Sequence, residues 1–311
     1  MGNYVLTPIF HTEVMFMTKG FITIATGKEE YYALARNLLR SYRRFCPSPL
    51  PFAILADREN EYTAEFDDVL VFPNGATNSY LDKLRLAEFA PYDETIFIDA
   101  DCLAFGDLNV IFDHFKDADD FSCFGRVLPL DDKTGWFEYE NLGALQEKVS
   151  YVVGLHGGIY YMRKGDMSRR VMADAMDFIP NYKDYGFRGK FDLGDEPLAA
   201  LAMAVNGCRP IPFIPEDICC YWEYVDRVAM DITLGKATVD GRYDTILMHW
   251  GTRFTRGLQY KKQLALLELM DAPEQWKACA AHYDRLIRRE KAKKFALRLK
   301  NKILRTMGIR K

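Results

Sequence analysis

The chain has 311 residues, 49% hydrophobic and 27% charged, with a formal net charge of -3. That composition is ordinary for a soluble globule with one sizeable α/β core, and no apolar run is long enough to span a bilayer. The seven cysteines are scattered without a Cys-x-x-Cys pair, which argues against a disulfide framework or a zinc or dithiol motif and for a reducing, cytoplasmic setting.

Residues 1–19 lack a basic region followed by an apolar core, so they read as a loosely ordered leader rather than a signal peptide. Gly20–Thr26 is a first buried strand ended by Gly27. Ala33, Leu34, Leu38 and Leu39 then recur at helical spacing and predict a helix over Glu29–Phe45, stopped by Pro47. Pro51–Ala56 and Asp68–Phe72 are the next strands, and Ser79–Phe89 is a helix carrying Lys83. Thr95–Ile98 has the composition of a strand buried on both faces and runs into Asp99 and Asp101.

A short helix at Leu108–Phe115 and a strand at Phe121–Gly125 follow. Residues 126–150 lack periodicity and are either a functional loop or a small insertion. Gly157–Met162 is a strand, Lys164–Phe178 a helix, Pro180–Gly194 a loop and Asp195–Val205 a helix. Cys208–Pro215 and Thr245–Trp250 are the remaining strands, and from Leu258 the chain is mostly helical. This alternation predicts an α/β fold with a Rossmann-like, mostly parallel central sheet flanked by helices. It forms one domain over 20–257, with 258–311 as a C-terminal helical appendage.

Asp99 and Asp101 are the most informative pair. Residues i and i+2 of an extended chain point the same way, so both carboxylates can grip one hard divalent cation. Unpaired, they would repel, and one would hold its proton. Ligands of open α/β sheets bind beyond the carboxyl ends of the strands. Thr26, Gly27, the Asp pair and His249 all fall at such ends. An imidazole joining two carboxylates tilts the choice towards Mn²⁺, with Mg²⁺ also accommodated.

Five pieces, in this order and spacing, carry a family resemblance: Phe21-Ile-Thr-Ile-Ala-Thr-Gly27, Tyr80-Leu-Asp-Lys-Leu-Arg-Leu86, Pro91-Tyr-Asp-Glu-Thr-Ile-Phe-Ile-Asp-Ala-Asp101, Gly157-Gly-Ile-Tyr-Tyr-Met162 and His249-Trp-Gly251. Over about residues 20–255 the chain resembles the GT-A glycosyltransferases, in particular the family 8 and glycogenin-like enzymes. The resemblance implies a GT-A fold with a donor-binding half at 20–125 and an acceptor half at 126–257. The activity it implies is metal-dependent transfer of a hexose from a nucleoside-diphosphate donor, a UDP-sugar, with retention of configuration. The acceptor would be a glycan, a lipid-linked saccharide or another hydroxyl, as in polysaccharide or lipopolysaccharide biosynthesis.

It also implies roles. Asp99 and Asp101, with Ala100 between them in the donor site, would hold the metal with His249. Thr26, Gly27 and either Tyr31 or Tyr32 would contact the base. Lys83 would lie near the diphosphate and donor sugar, Gly157 and Gly158 would let the sugar approach the backbone, and Asp195 and Glu196 would stand beside the reacting carbon. The sequence departs from the family at two places. Gly251 is two residues after His249 instead of three, so Arg253 or Arg256 must replace the family lysine. His156 stands where many relatives carry Asn.

Two other functions compete. A phosphatase of the haloacid dehalogenase kind also places Asp-x-Asp after an apolar strand, but that strand is usually its first, whereas three precede it here. A non-catalytic carbohydrate-binding protein on the same fold would have no reason to keep both aspartates, Lys83 and His249. Trp136–Glu140 reads either as an acceptor-site lid or as part of a packed insertion. The tail from Asp284 to Lys311 carries 12 Lys/Arg against 2 Asp/Glu, interleaved with Leu, Ile and Phe. From Tyr283 on, this is the pattern of a peripheral anchor on an anionic membrane surface. No nucleic-acid recognition motif accompanies it, so a nucleic-acid partner is not expected.

Overall fold

The structure, a computed structural model, describes residues 17–73, 75–77, 79–187, 193–212, 218–225 and 227–306. Most of the expected leader, and parts of the expected loop at 180–194 and strand at 208–215, lie outside them.

The first half follows the expected alternation. Strand β1 (Lys19–Ala25), helix α1 (Glu29–Phe45), β2 (Phe52–Ala56) and β3 (Asp68–Val71) come in turn. A 3-10 segment at Tyr80–Arg85 and one turn of α2 (Leu86–Phe89) lead into β4 (Glu94–Ile98). Next are β5 (Cys102–Ala104), α3 (Ile111–His114), β6 (Phe121–Leu128) and the twelve-residue β7 (Val152–Arg163). Helices α4 (Asp166–Asp177) and α5 (Asp195–Val205) precede β8 (Ile211–Pro212).

The central sheet has the order β3-β2-β1-β4-β7-β6-β8. Its first four strands are mutually parallel, and β7 runs antiparallel between β4 and β6. Alternation along β4 divides the core. Phe97 packs into the cluster that includes α4 and α5, whereas Ile96 and Ile98 face the cluster beneath α1.

The rest of the chain is built from short strands that carry too few residues to show a period. They are β9 (Cys219–Tyr221), β10 (Val228–Asp231), β11 (Lys236–Val239), β12 (Tyr243–Asp244) and β13 (Leu247–His249). β10, β11 and β12 form one small sheet and β5, β13 and β9 another. Helices α6 (Thr252–Thr255), α7 (Leu258–Glu268) and α8 (Pro273–Thr306) complete the fold. Tyr260 and Leu266 of α7 share a core with Met248, Trp250 and Ile232, so the appendage is packed onto the small sheets.

Two expectations are refined. Ser79–Phe89 is helical, but Tyr80–Arg85 is 3-10 and only Leu86–Phe89 is α. Asp82 accepts from the backbone and hydroxyl of Thr77 at 2.8 Å each and closes a capping box with Ser79. The 126–150 region is a packed insertion. Phe137 and Leu142 are buried in the main core, and the Trp136 indole donates to the Leu155 carbonyl at 2.8 Å.

Helix α5 is apolar all round and buried along Pro197–Ala204, as a helix enclosed by β7, α4 and the insertion must be. Leu201, fully buried there, gives a direct test. Leu201→Ala is expected to cost about 2–5 kcal/mol in urea unfolding, and a loss below about 1 kcal/mol would show that α5 is not enclosed.

Candidate active site

The chain leaves β4 and turns at once. The Asp99 N–H donates to the Gly158 carbonyl on β7 at 3.0 Å, and the Cys102 N–H donates back to the Asp99 carbonyl at 3.3 Å. β13 pairs antiparallel with β5 in a register that sets His249 opposite Cys102. The Trp250 N–H then donates to the Asp101 carbonyl at 3.1 Å. A strand end and a distant strand are thus tied backbone to backbone around the Asp pair.

The side chains converge accordingly. His249 Nε2 is 3.0 Å from Asp101 Oδ1 and 3.6 Å from Asp99 Oδ2. The Lys83 ammonium lies 2.8 Å from Asp99 Oδ1 and 3.4 Å from Asp195 Oδ2. Glu196 Oε1 accepts the Gly157 N–H at 2.6 Å, and the Thr252 hydroxyl donates to Asp101 Oδ2 at 3.0 Å. Asp99, Asp101, His249, Lys83, Asp195 and Glu196 therefore form one contiguous cluster, although they come from four parts of the chain.

Burial opposes charge throughout this cluster, and neighbours decide each outcome. Burial and the nearby Asp101 lift the Asp99 carboxyl above its usual range, against the pull of Lys83. Asp101 goes the other way, because contact with His249 outweighs burial. Burial would strip the proton from His249 and from Lys83, yet both are held above their ordinary values, His249 by Asp101 and Lys83 by Asp195 and Asp99. Burial and Asp195 push Glu196 up to about 7.

Among the described residues, the group with the spacing to hold a metal ion contains Asp101 and His249 but not Asp99. Ligand atoms of Asp101, Cys102 and His249 lie within 4.8 Å of one another, and Asp99 Oδ2 is close to the same imidazole nitrogen. Burial holds the Cys102 thiol protonated, well above its ordinary value, which makes it a poor ligand beside two carboxylates. The other imidazole nitrogen, His249 Nδ1, is buried and has no hydrogen-bond partner among the described residues.

Gly157 and Gly158, on β7, lie against the site's own side chains. A Cβ at Gly158 would stand 2.8 Å from His249 Nδ1, and one at Gly157 would stand 2.7 Å from the Tyr160 hydroxyl and 2.8 Å from Glu196 Cγ.

The candidate base loop is held by two carboxylates absent from the sequence-based site. Thr26 Oγ1 donates to Asp82 at 3.4 Å, and the Gly27 N–H donates to Asp57 at 3.3 Å. Tyr32 is fully buried, its hydroxyl donates to Asp57, and the Arg58 guanidinium covers its ring at 5.0 Å. Helical spacing puts it with Ala35 and Leu39 on the inner face of α1. Of the two tyrosines, Tyr31 is therefore the half-exposed one.

Neither arginine is drawn into the cluster. Gly251 turns the chain with a φ of 69° straight into α6. Arg253 pairs with Glu223 at 2.6 Å, and Arg256 pairs with Glu30 at 2.8 Å, each mostly exposed. Arg256 thereby reaches the first turn of α1, next to Tyr31. Beside His249 stands an aromatic wall: His156 stacks on Tyr221 at 4.5 Å, and Tyr221 lies 4.9 Å from His249. Tyr224, 65% exposed, is 5.7 Å from His156. Burial first, then His249, lowers the His156 pKa to about 4, so this ring is neutral.

Sequence reasoning missed Asp57, Asp82, Thr252 and Tyr221. Asp57 had a signal, since it follows β2 as Asp99 follows β4. Asp82 had one in its Ser79-x-x-Asp spacing. Thr252 and Tyr221 had none.

No protein-family model and no curated protein matches the chain. Among solved structures it is similar to the galactosyltransferase LgtC in complex with donor and acceptor sugar analogs. That match has 12% identity and a TM-score of 0.48, covering 84% of this chain and 99% of that one. It is also similar to the bifunctional glycosyltransferase WbbM in its apo form, with 13% identity and a TM-score of 0.43, covering 79% of this chain and 47% of that one. Both likenesses are of chain path.

The raised Glu196 pKa carries a stability prediction. The carboxyl titrates near 4.5 in the unfolded chain and near 7 in the folded one. The unfolded state gives up its proton first, so stability falls as pH rises from about 4.5 to about 7, by at most about 3 kcal/mol. With EDTA present, Glu196→Gln should raise the urea midpoint at pH 8 and leave it nearly unchanged at pH 4. An equal offset at both pH values would show that Glu196 is not held protonated.

Proposed function

We propose that the chain is a metal-dependent glycosyltransferase that moves a hexose from a UDP-sugar to a hydroxyl acceptor with retention of configuration. The observation that carries this reading is the convergence of Asp99, Asp101 and His249 with Lys83 and Asp195 beyond the ends of the sheet strands. That is where an α/β sheet binds its ligand.

Asp99, Asp101 and His249 would hold Mn²⁺ or Mg²⁺. A divalent cation there supplies Lewis-acid neutralisation of a diphosphate leaving group. The chain's own residues do the rest. Lys83, kept charged in a buried site, contributes a fixed positive field where negative charge develops. Thr26, Gly27 and Tyr31 contact the base, and Arg256, beside Tyr31, or Arg253 exchanges its surface carboxylate for a phosphate. Asp195 and Glu196 line the position of the reacting carbon. The wall of His156, Tyr221 and Tyr224 offers an acceptor sugar a flat apolar face. We assign the donor-binding half to 20–125 and the acceptor half to 126–257.

A phosphatase would need one aspartate of the pair free as its nucleophile. Here one oxygen of Asp99 is engaged by Lys83, and Asp101 is engaged by His249 and Thr252. That arrangement favours a cation clamp.

Calorimetry with UDP separates the readings. Binding should require Mn²⁺ and weaken at least about tenfold, roughly 1.4 kcal/mol, in Asp101→Ala. Metal-independent UDP binding, or hydrolysis of a simple phosphoester instead, would reject the transferase reading.

A second part of the proposal concerns location. No helix among the described residues is long and apolar enough to cross a membrane. On α8, however, Phe295, Leu297 and Leu299 are 69%, 57% and 48% exposed among lysines and arginines. This pattern supports peripheral attachment to the anionic inner face of a membrane, where the acceptor is lipid-linked. In flotation, the full chain should rise with anionic liposomes at low salt, while a chain cut before Tyr283 should not. A full chain that stays at the bottom with the truncated one refutes it.

A further inference from the structure

A cavity of about 730 Å³ lies between the start of β10, the segment from Trp250 to Gln259, and α8. It is on the other side of β13 from the Asp pair. His249 and Trp250 are successive residues, so they point to opposite faces. His249 meets the carboxylates, and Trp250 lines the cavity.

The lining joins two chemistries. Trp222 stacks on Trp250 at 4.6 Å, and with Phe254 and Ile287 they make an apolar floor. Arg227, Arg253, Lys291 and Lys294 stand around it against one carboxylate, Glu290. Lys294 is neutralised by Glu290 at 2.5 Å and Arg253 by Glu223 at 2.6 Å. Arg227 and Lys291 have no ion pair among the described residues. Both line the cavity and are exposed, so each can meet an anion that enters it.

One further observation narrows the anion. On α8, Phe295 is one turn beyond Lys291 on the same face, and Leu299 one turn further; both are exposed. Apolar surface therefore continues along the helix from the cationic end of the cavity. A free anion has no use for it, whereas an acyl chain does.

We propose that this cavity is a binding site for a single anionic phospholipid, its phosphate headgroup between Arg227 and Lys291 and its chain along Phe295 and Leu299. The inference narrows the membrane reading above to one saturable site and does not depend on the transferase reading. Flotation reports the whole tail, whereas a monomeric lipid reports the cavity alone.

The test is calorimetry at low ionic strength with dihexanoyl phosphatidic acid below its micelle concentration. One lipid should bind per chain, and dihexanoyl phosphatidylcholine should bind at least about tenfold more weakly. The double variant Arg227→Glu with Lys291→Glu should lose at least about tenfold in affinity. Lys293→Glu with Lys300→Glu, an equal change of charge on α8 outside the cavity, should stay within about threefold. Should the first pair melt early, Arg227→Gln with Lys291→Gln takes its place. Equal losses in both pairs, or no saturation, overturn the site. Inorganic phosphate binding as tightly as the lipid overturns the lipid as its occupant.

Discussion

The Lys83 ammonium is the interaction on which the cluster depends. Asp99, Asp101, Asp195 and Glu196 are four carboxylates in one largely buried neighbourhood, and such groups repel or protonate unless cations stand among them. Lys83 touches Asp99 and Asp195 directly, so it joins the end of β4 to the start of α5. Removing it would leave two buried carboxylates without their closest counter-charge, a loss of several kcal/mol in comparable buried pairs. His249 does the same for Asp101 from the opposite side.

Lys83 is positioned by local chemistry rather than by a long helix. Asp82, 1% exposed, takes the Thr77 amide and hydroxyl and also meets Thr26. It draws the residues before Lys83 into a tight turn and ties them to the loop after β1. One carboxylate thus links the candidate base loop to the segment that carries the central cation. Asp57 makes a parallel link by taking the Gly27 amide and the Tyr32 hydroxyl.

These links show what the sequence could and could not reveal. β1, β2, β4 and α5 were legible as nearly continuous apolar runs that end up buried, and α1 by its helical period. The Asp pair was legible by its place after an apolar strand, although the turn at Asp99–Cys102, not strand alternation, sets how the two carboxylates lie. The Ser79–Phe89 segment was legible as a helix, but apolar spacing does not tell a 3-10 segment from an α-helix. Tyr31 and Tyr32 could not be ordered without the phase of α1 against the sheet. β9 to β13 are too short to show alternation, and their register, which delivers His249 and Thr252, arises from pairing across long stretches of chain.

The short spacing from His249 to Gly251 then has a structural sense. With Gly251 only two residues on and at positive φ, the chain turns into α6 immediately. That early turn puts the Thr252 hydroxyl on Asp101 and sends Arg253 and Arg256 outward to Glu223 and Glu30. The segment from His249 to Gly257 therefore faces two ways. Its first residues complete the carboxylate cluster, and Trp250, Arg253 and Phe254 line the cavity against α8. Trp250 is held by its backbone to Asp101 and by its ring to Trp222. The segment is thus the shared wall between the carboxylate cluster and the basic helix.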